Sequence, residues 1–353
     1  MNEPMEPRRI TIGFLGAGGY GRSARAYFRN TGEYDLVACM DVDPVVASLG
    51  ARQDDATSFT NLDAFLASNA FEAVSINTPV HLHAEHMARC LEAGKHVFVT
   101  KPVTDFPDQA AAIVPLARDR QRACMVGHHA RHGAVPNMIR DILDSGRLGR
   151  LCNVVISSCS STALNQTLGD WRALAGKNPG GPLLQCGIHT IDFLQGLLGP
   201  VVRVTSMVQD DITEFEPVDN AMTLLAFENG VQAAFICNYT TAYLHTTHFL
   251  GTKANLHVHR HITGYSQCEV YLQDRASGVH EPWQALRIPR PDDGYPDDHG
   301  GILEKSFAVQ IRTGKMDYTN LLESISALRV VHAAVESART GKVALCDTSA
   351  PKA

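Results

Sequence analysis

Six residues near the N-terminus, Gly16-Ala17-Gly18-Gly19-Tyr20-Gly21, restrict the fold of this chain more than any other stretch. They fit G-x-G-x-x-G and lie between a β-branched apolar run, Arg9 to Gly16, and a helical pattern reaching about Asn30. A strand, a tight glycine turn and a helix in this order form a dinucleotide cradle. The first glycine allows the turn, the second lets the backbone approach a pyrophosphate, and the third lets helix and strand pack closely. The helix N-terminus then faces the negative charge. Gly19 and Tyr20 complete the turn. A second strand pattern, Asp35 to Asp41, ends on a carboxylate about 20 residues beyond the last glycine, where Asp41 can accept hydrogen bonds from an adenosine ribose. The cofactor expected is NAD, with NADP disfavoured by the Asp41 charge and by the absence of Arg at Val42 and Asp43.

The alternation continues. Asn61 to Ser68 reads as a helix, Ala73 to Thr78 as a buried strand, and His81 to Glu92 as a helix with Ala84, Met87, Ala88 and Leu91 on one face. Strand His96 to Thr100, helix Asp108 to Arg120 and strand Ala123 to Gly127 follow. The pattern predicts an α/β chain whose N-terminal domain is a doubly wound parallel sheet. Beyond about residue 130 the punctuation changes. Asn229-Gly230 between two apolar runs signals a hairpin, and Gly251-Thr252-Lys253 a second turn. A large, mainly antiparallel open sheet is expected there, with helices near 133 to 145 and 187 to 198 on one face and an oligomer contact on the other. A last helix, about Asn320 to Arg339, places Leu321, Ile325, Leu328 and Val335 on one side. The domain reading is a polar tail at 1–8, an NAD-binding domain at 9–130 and a substrate-binding and oligomerisation domain at 131–353.

Composition narrows the partners. The net charge of −6 argues against a nucleic-acid surface, which needs clustered Lys and Arg. Nine scattered cysteines without a C-x-x-C pair read as buried thiols in a reducing compartment. No apolar run is long enough to span a bilayer, so neither a membrane nor a polyanion partner is expected. The expectation is a cytoplasmic protein with a small-molecule substrate.

Three further spacings carry a resemblance: Thr78-Pro79-Val80-His81-Leu82-His83, Glu92-Ala93-Gly94-Lys95-His96-Val97 and Lys101-Pro102. With Asp170-Trp171-Arg172, Gly187-Ile188-His189-Thr190-Ile191-Asp192 and Glu336-Ser337-Ala338-Arg339-Thr340-Gly341, the chain resembles the glucose-fructose oxidoreductase and inositol dehydrogenase (Gfo/Idh/MocA) family over nearly its whole length. The resemblance implies oxidation and reduction of pyranoses or cyclitols, and homodimers or homotetramers packed through the open sheet. It places the catalytic lysine at Lys101, the catalytic histidine at His189 and His83 beside the nicotinamide, with Thr78 and Pro79 in the cofactor loop. Lys101 can hold a substrate oxygen, and His189 can take the alcohol proton as hydride leaves carbon.

Two positions depart from the family pattern. Thr100 stands where a Glu precedes Lys-Pro, and Gln185 where an Asp stands four residues before the histidine. Gln185 cannot accept a proton, but its amide can bond a sugar hydroxyl. Arg172 can pair with a substrate or cofactor oxygen. The imidazoles at His81, His83 and His86 and at His257, His259 and His261 lack metal-ligand spacing, and no metal is expected. Asp292, Asp293, Asp297, Asp298 and His299 crowd a Pro/Gly loop, read as solvated with an N-cap. Three functions remain in play: an NAD-dependent dehydrogenase for a sugar, glycoside or cyclitol; a glycosidase using NAD for transient oxidation; and a non-catalytic NAD-binding regulator.

Overall fold

A computed structural model of the chain describes residues 8–261, 267–275, 282–290 and 301–348. The aspartates and histidine of the 292–299 loop lie outside the described residues. The first sheet has six parallel strands in the order β3-β2-β1-β4-β5-β6. In chain order these are β1 (Ile10–Leu15), β2 (Tyr34–Met40), β3 (Thr57–Phe59), β4 (Ala73–Ile76), β5 (His96–Thr100) and β6 (Cys124–Gly127). Strands β4, β5 and β6 are buried throughout, which is why they read as continuous apolar runs rather than alternating ones. The strand order reverses between β1 and β4. A crevice therefore opens beyond their carboxyl ends, where doubly wound sheets bind their ligands.

Helices α1 (Gly19–Asn30), α2 (Pro44–Arg52), α3 (Leu62–Ala67), α4 (His83–Glu92) and α5 (Pro107–Asp119) connect these strands. Helix α2 and β3 were not expected from sequence. The start of α2 is nonetheless locally encoded, because the Asp43 carboxylate accepts from the backbone N–H of Val45 at 2.8 Å and Pro44 opens the first turn. The helix expected from His81 begins two residues later, after a single tight turn over Val80–Leu82. Its buried face is His83, Met87, Cys90 and Leu91, rotated from the predicted one because the histidine turns inward.

The second sheet has nine strands among the described residues, in the order β14-β13-β12-β11-β7-β10-β9-β8-β15. They are β7 (Leu151–Cys159), β8 (Val201–Gln209), β9 (Asn220–Phe227), β10 (Gln232–Asn238), β11 (Leu244–Gly251), β12 (Ala254–Arg260), β13 (Cys268–Asp274), β14 (Gln284–Leu286) and β15 (Ala344–Leu345). Neighbours are antiparallel except β7 and β10, which run parallel. Both predicted turns are present, β9 leading into β10 and β11 into β12. Helices α6 (Ala134–Asp144), α7 (Ile188–Leu198) and α9 (Thr319–Thr340) belong to this half. In α9 the buried seam runs through Leu321, Ile325, Leu328, Val331 and Ala334, with Val335 at its edge.

The opposite sheet face carries exposed Met207, Met222 and Leu224. Helix α8 (Ile302–Thr313) returns to the first sheet, where Phe307 meets Phe98 edge-on at 5.6 Å and the Tyr34 hydroxyl donates to the Glu304 carbonyl at 2.5 Å. All nine cysteines are free, and most are buried, but Cys152 is exposed because it points outward from β7. Among the described residues no helix is long and apolar enough to cross a membrane.

Candidate active site

The glycine turn is built by steric necessity. Gly16 leaves β1 with φ near +90°, and a Cβ there would lie 2.8 Å from the Asn77 carbonyl carbon. A Cβ on Gly21 would lie 2.1 Å from the Gly16 carbonyl oxygen, so only glycine lets α1 seat against the strand end. Gly18 caps α1, and Asp41 lies opposite, its Oδ2 accepting from the backbone N–H groups of Ala17 at 2.9 Å and Gly18 at 3.4 Å. A groove of about 540 Å3 runs from this turn past Asn77, Thr78 and Pro79 to Lys101. Glycines that leave room for no side chain, a helix N-terminus and a carboxylate at the end of β2 match what a nicotinamide dinucleotide requires.

His83 is buried behind the groove, with Nδ1 and Nε2 each 2.8 Å from a carbonyl oxygen, of Pro102 and Thr78 respectively. Burial pushes its pKa down to about 4 against the pull of these carbonyl acceptors, and a neutral ring donates to only one of them. Thr78 Oγ1 is 2.9 Å from His86 Nδ1. Trp171 and Arg172 line the groove from the second half of the chain. The guanidinium of Arg172 stacks 4.3 Å over the Trp171 ring and pairs with Asp170 at 3.2 Å, which fixes its direction.

A second cavity, of about 770 Å3, adjoins the first and shares Tyr20, Lys101 and Gln185 with it. Lys101 Nζ donates to the Gln185 carbonyl oxygen at 2.7 Å. Burial lowers its pKa, Cys186 opposing and Arg172 adding to the shift. Gln185 lies in a π-helical turn, Leu183–Gly187, ahead of α7. Its side-chain amide donates to Asn178 Oδ1 at 3.2 Å, and Asn178 in turn donates to the Arg172 carbonyl at 2.9 Å. The imidazole of His189, in the first turn of α7, is held well below its usual pKa by burial, then by the charges of Lys101 and its other basic neighbours. Thr100 ends β5, nine-tenths buried, and its hydroxyl bonds Tyr20.

The fold thus brings Gly16, Gly18, Gly19, Tyr20, Asp41, Thr78, Pro79, His83, Lys101, Arg172 and Gln185 around one groove, while His189 lines the adjoining cavity with Tyr20, Lys101 and Gln185. Gly21 packs beneath the turn. Sequence reasoning missed Asn178, Tyr243, His245 and Arg260. The last three stand on or next to β11 and β12, where His245 is paired in register with Arg260, and the sequence gives no sign of that pairing. His257 and His259 lie on β12 beside His248 of β11, with Trp283 stacked on His257 at 3.9 Å, while His261 follows the strand and pairs with Glu269. Among the described residues no group of three or more His, Cys, Asp or Glu could hold a metal ion.

Two family models match this chain. Residues 10–128 match the oxidoreductase family with an NAD-binding Rossmann fold, and residues 137–257 match the GFO/IDH/MocA C-terminal domain. One relative, the dTDP-3,4-didehydro-2,6-dideoxy-alpha-D-glucose 3-reductase of Streptomyces violaceoruber, is 31% identical over 65% of this chain and 62% of its own length. A putative NADPH-dependent oxidoreductase from Desulfitobacterium hafniense superposes with a TM-score of 0.87 at 24% identity, covering 96% of this chain and 98% of that one. Levoglucosan dehydrogenase in complex with NADH gives 0.85 at 18% identity, covering 97% and 100%. With both halves matched and the dinucleotide groove formed, the chain belongs to the Gfo/Idh/MocA family of oxidoreductases.

Proposed function

We propose that this protein is an NAD-dependent dehydrogenase that moves a hydride between nicotinamide and a secondary alcohol of a sugar, glycoside or cyclitol. The observation that carries this reading is the junction of the two cavities at Lys101, where a dinucleotide groove opens into a chamber with hydroxyl, amide and basic side chains in its wall. The names of the relatives, a sugar 3-reductase and levoglucosan dehydrogenase, support a sugar-like substrate. NAD supplies the hydride acceptor when bound, and the chain's residues do the rest. Lys101 holds the alcohol oxygen, and His189 removes its proton. The Gln185 amide bonds a neighbouring hydroxyl, and Arg172 reaches a cofactor or substrate oxygen.

Asp41 favours NAD, because its carboxylate accepts from ribose hydroxyls and repels a 2′-phosphate. The exposed methionines and Leu224 on the open sheet face support assembly of two or four copies through that face. Turnover of a panel of sugars, cyclitols and aryl glycosides, followed at the NADH absorbance with NAD and with NADP, tests the reading. Net NADH formation from a free polyol, faster with NAD, is the expected result. Cleavage of aryl glycosides without net NADH would favour a glycosidase, and cofactor binding without any turnover a regulator.

A further inference from the structure

Asn178 is wholly buried and lines neither the groove nor the chamber, yet its side chain bonds two residues that do. Its backbone N–H donates to the Leu174 carbonyl at 2.9 Å, and its own carbonyl accepts from the Gly181 N–H at 3.2 Å, so the side chain starts from a fixed point. Asn178 Nδ2 donates to the Arg172 carbonyl at 2.9 Å, and Oδ1 accepts from Gln185 Nε2 at 3.2 Å. The polarity of this series of bonds follows from its first member. A backbone carbonyl only accepts, so Asn178 must turn its NH2 group to Arg172 and its oxygen to Gln185. That oxygen also only accepts, so Gln185 must answer with Nε2. Its Oε1 is then the end left for a ligand in the groove and the chamber, both of which Gln185 lines. The backbone carbonyl of the same residue accepts from Lys101 Nζ at 2.7 Å, so the amide works close to the lysine.

We propose that Asn178 is a positioning residue that sets the polarity of the Gln185 amide, so that Gln185 Oε1 reads a hydroxyl donor beside the carbon being oxidised, and that ties this reader to the Trp171–Arg172 turn in the cofactor groove. The inference deepens the dehydrogenase reading above and rests on it. It narrows the substrate class to a polyol with a second hydroxyl next to the reacting one, and that second hydroxyl donates. An ether, a fluorine or a carbonyl at the same position only accepts, and meets Oε1 with repulsion. The cofactor side is held by the same series of bonds. The Asp170 carboxylate accepts from the Arg172 N–H at 2.9 Å and pairs with its guanidinium, while Asn178 takes the Arg172 carbonyl. A shift of the turn that carries Arg172 is therefore felt at Gln185, one amide away.

Kinetics with the monodeoxy and monodeoxyfluoro analogues of the polyol turned over fastest test the proposal. At a position beside the oxidised carbon, kcat/KM of the wild type should fall at least about tenfold for both analogues, because fluorine accepts but does not donate. In Asn178→Leu the Gln185 amide is free to turn over, and the preference for hydroxyl over fluorine should shrink at least about fivefold. Asn178→Asp keeps an accepting oxygen for Gln185 and should keep that preference, while its second oxygen faces the Arg172 carbonyl and should weaken NADH binding. Thermal midpoints show that each variant is folded. Fluoro analogues used as well as the parent by the wild type at every position, or an unchanged preference in folded Asn178→Leu, overturn the proposal. If the wild type oxidises no polyol, the dehydrogenase reading fails, and calorimetric NADH titration still decides the tie to the cofactor side. Asn178→Leu and Arg172→Ala should each weaken NADH binding and together do little more than either alone, whereas additive losses overturn the tie.

Discussion

At the residue scale the proposed reaction rests on two side chains whose surroundings oppose charge. Lys101 is part-buried against Gln185 and Cys186, and His189 lies among basic groups, so both favour their neutral forms more than free side chains do. For a general base this is useful, since an imidazole must be unprotonated to accept the alcohol proton. Lys101→Ala should lower turnover by about 10²-fold or more, the scale of a lost acid–base contact, with NAD affinity largely kept. Steady-state kinetics beside NAD titration checks this, and an unchanged rate constant with normal thermal stability would leave Lys101 a structural role only. Gln185→Asp introduces a carboxylate into the wall that His189 shares, which stabilises the imidazolium. The His189 pKa should rise, and the acidic limb of the oxidation profile should shift to higher pH, as pH–rate measurements at saturating NAD would record. A changed substrate preference with an unmoved profile would instead make Gln185 a reader of substrate hydroxyls.

At the scale of elements, the strand, turn and helix around Gly16 to Gly21 are over-determined, because local patterning and tertiary sterics demand the same residues. Gly21→Ala sets a methyl group 2.1 Å from the Gly16 carbonyl and must push α1 off the strand end. The backbone amides that face the groove move with it. NAD affinity should fall at least about tenfold, or about 1.4 kcal/mol, in calorimetric titration, and wild-type affinity in the variant would show that the turn relaxes freely. Most elements of the first domain were legible because β4, β5 and β6 are short, wholly buried runs, and β1 and β2 largely buried ones, each bounded by turn residues. Helix α2 was not, since its exposed Val45 and Leu49 blur the apolar stripe. The π-helical turn that presents Gln185 was also invisible. It depends on how Leu183 and Leu184 pack in the core rather than on any local propensity.

The whole molecule stores a pH dependence in its imidazoles. Burial lowers His83, His96, His132 and His257 to about 4, and burial with Arg260 lowers His245 to about 3. When unfolded they return to about 6.5, so below that pH the unfolded chain binds more protons than the folded one. Stability should be complete above about pH 6.5 and be lost progressively as pH falls toward 4. Thermal unfolding between pH 8 and 5 should show the midpoint falling before most carboxylates titrate, and a flat profile over that interval would refute the assignment. The sequence by itself determined the parallel sheet, the dinucleotide turn and the two hairpins, because those depend on periodicity, on glycine and on motif spacing within short stretches. Only the tertiary structure decided that α8 returns across nearly the whole chain to the first sheet and that His245 meets Arg260 across two strands. Those contacts join residues far apart in the chain, and their partners are chosen by packing and by the need to pair buried polar groups, which no local pattern records.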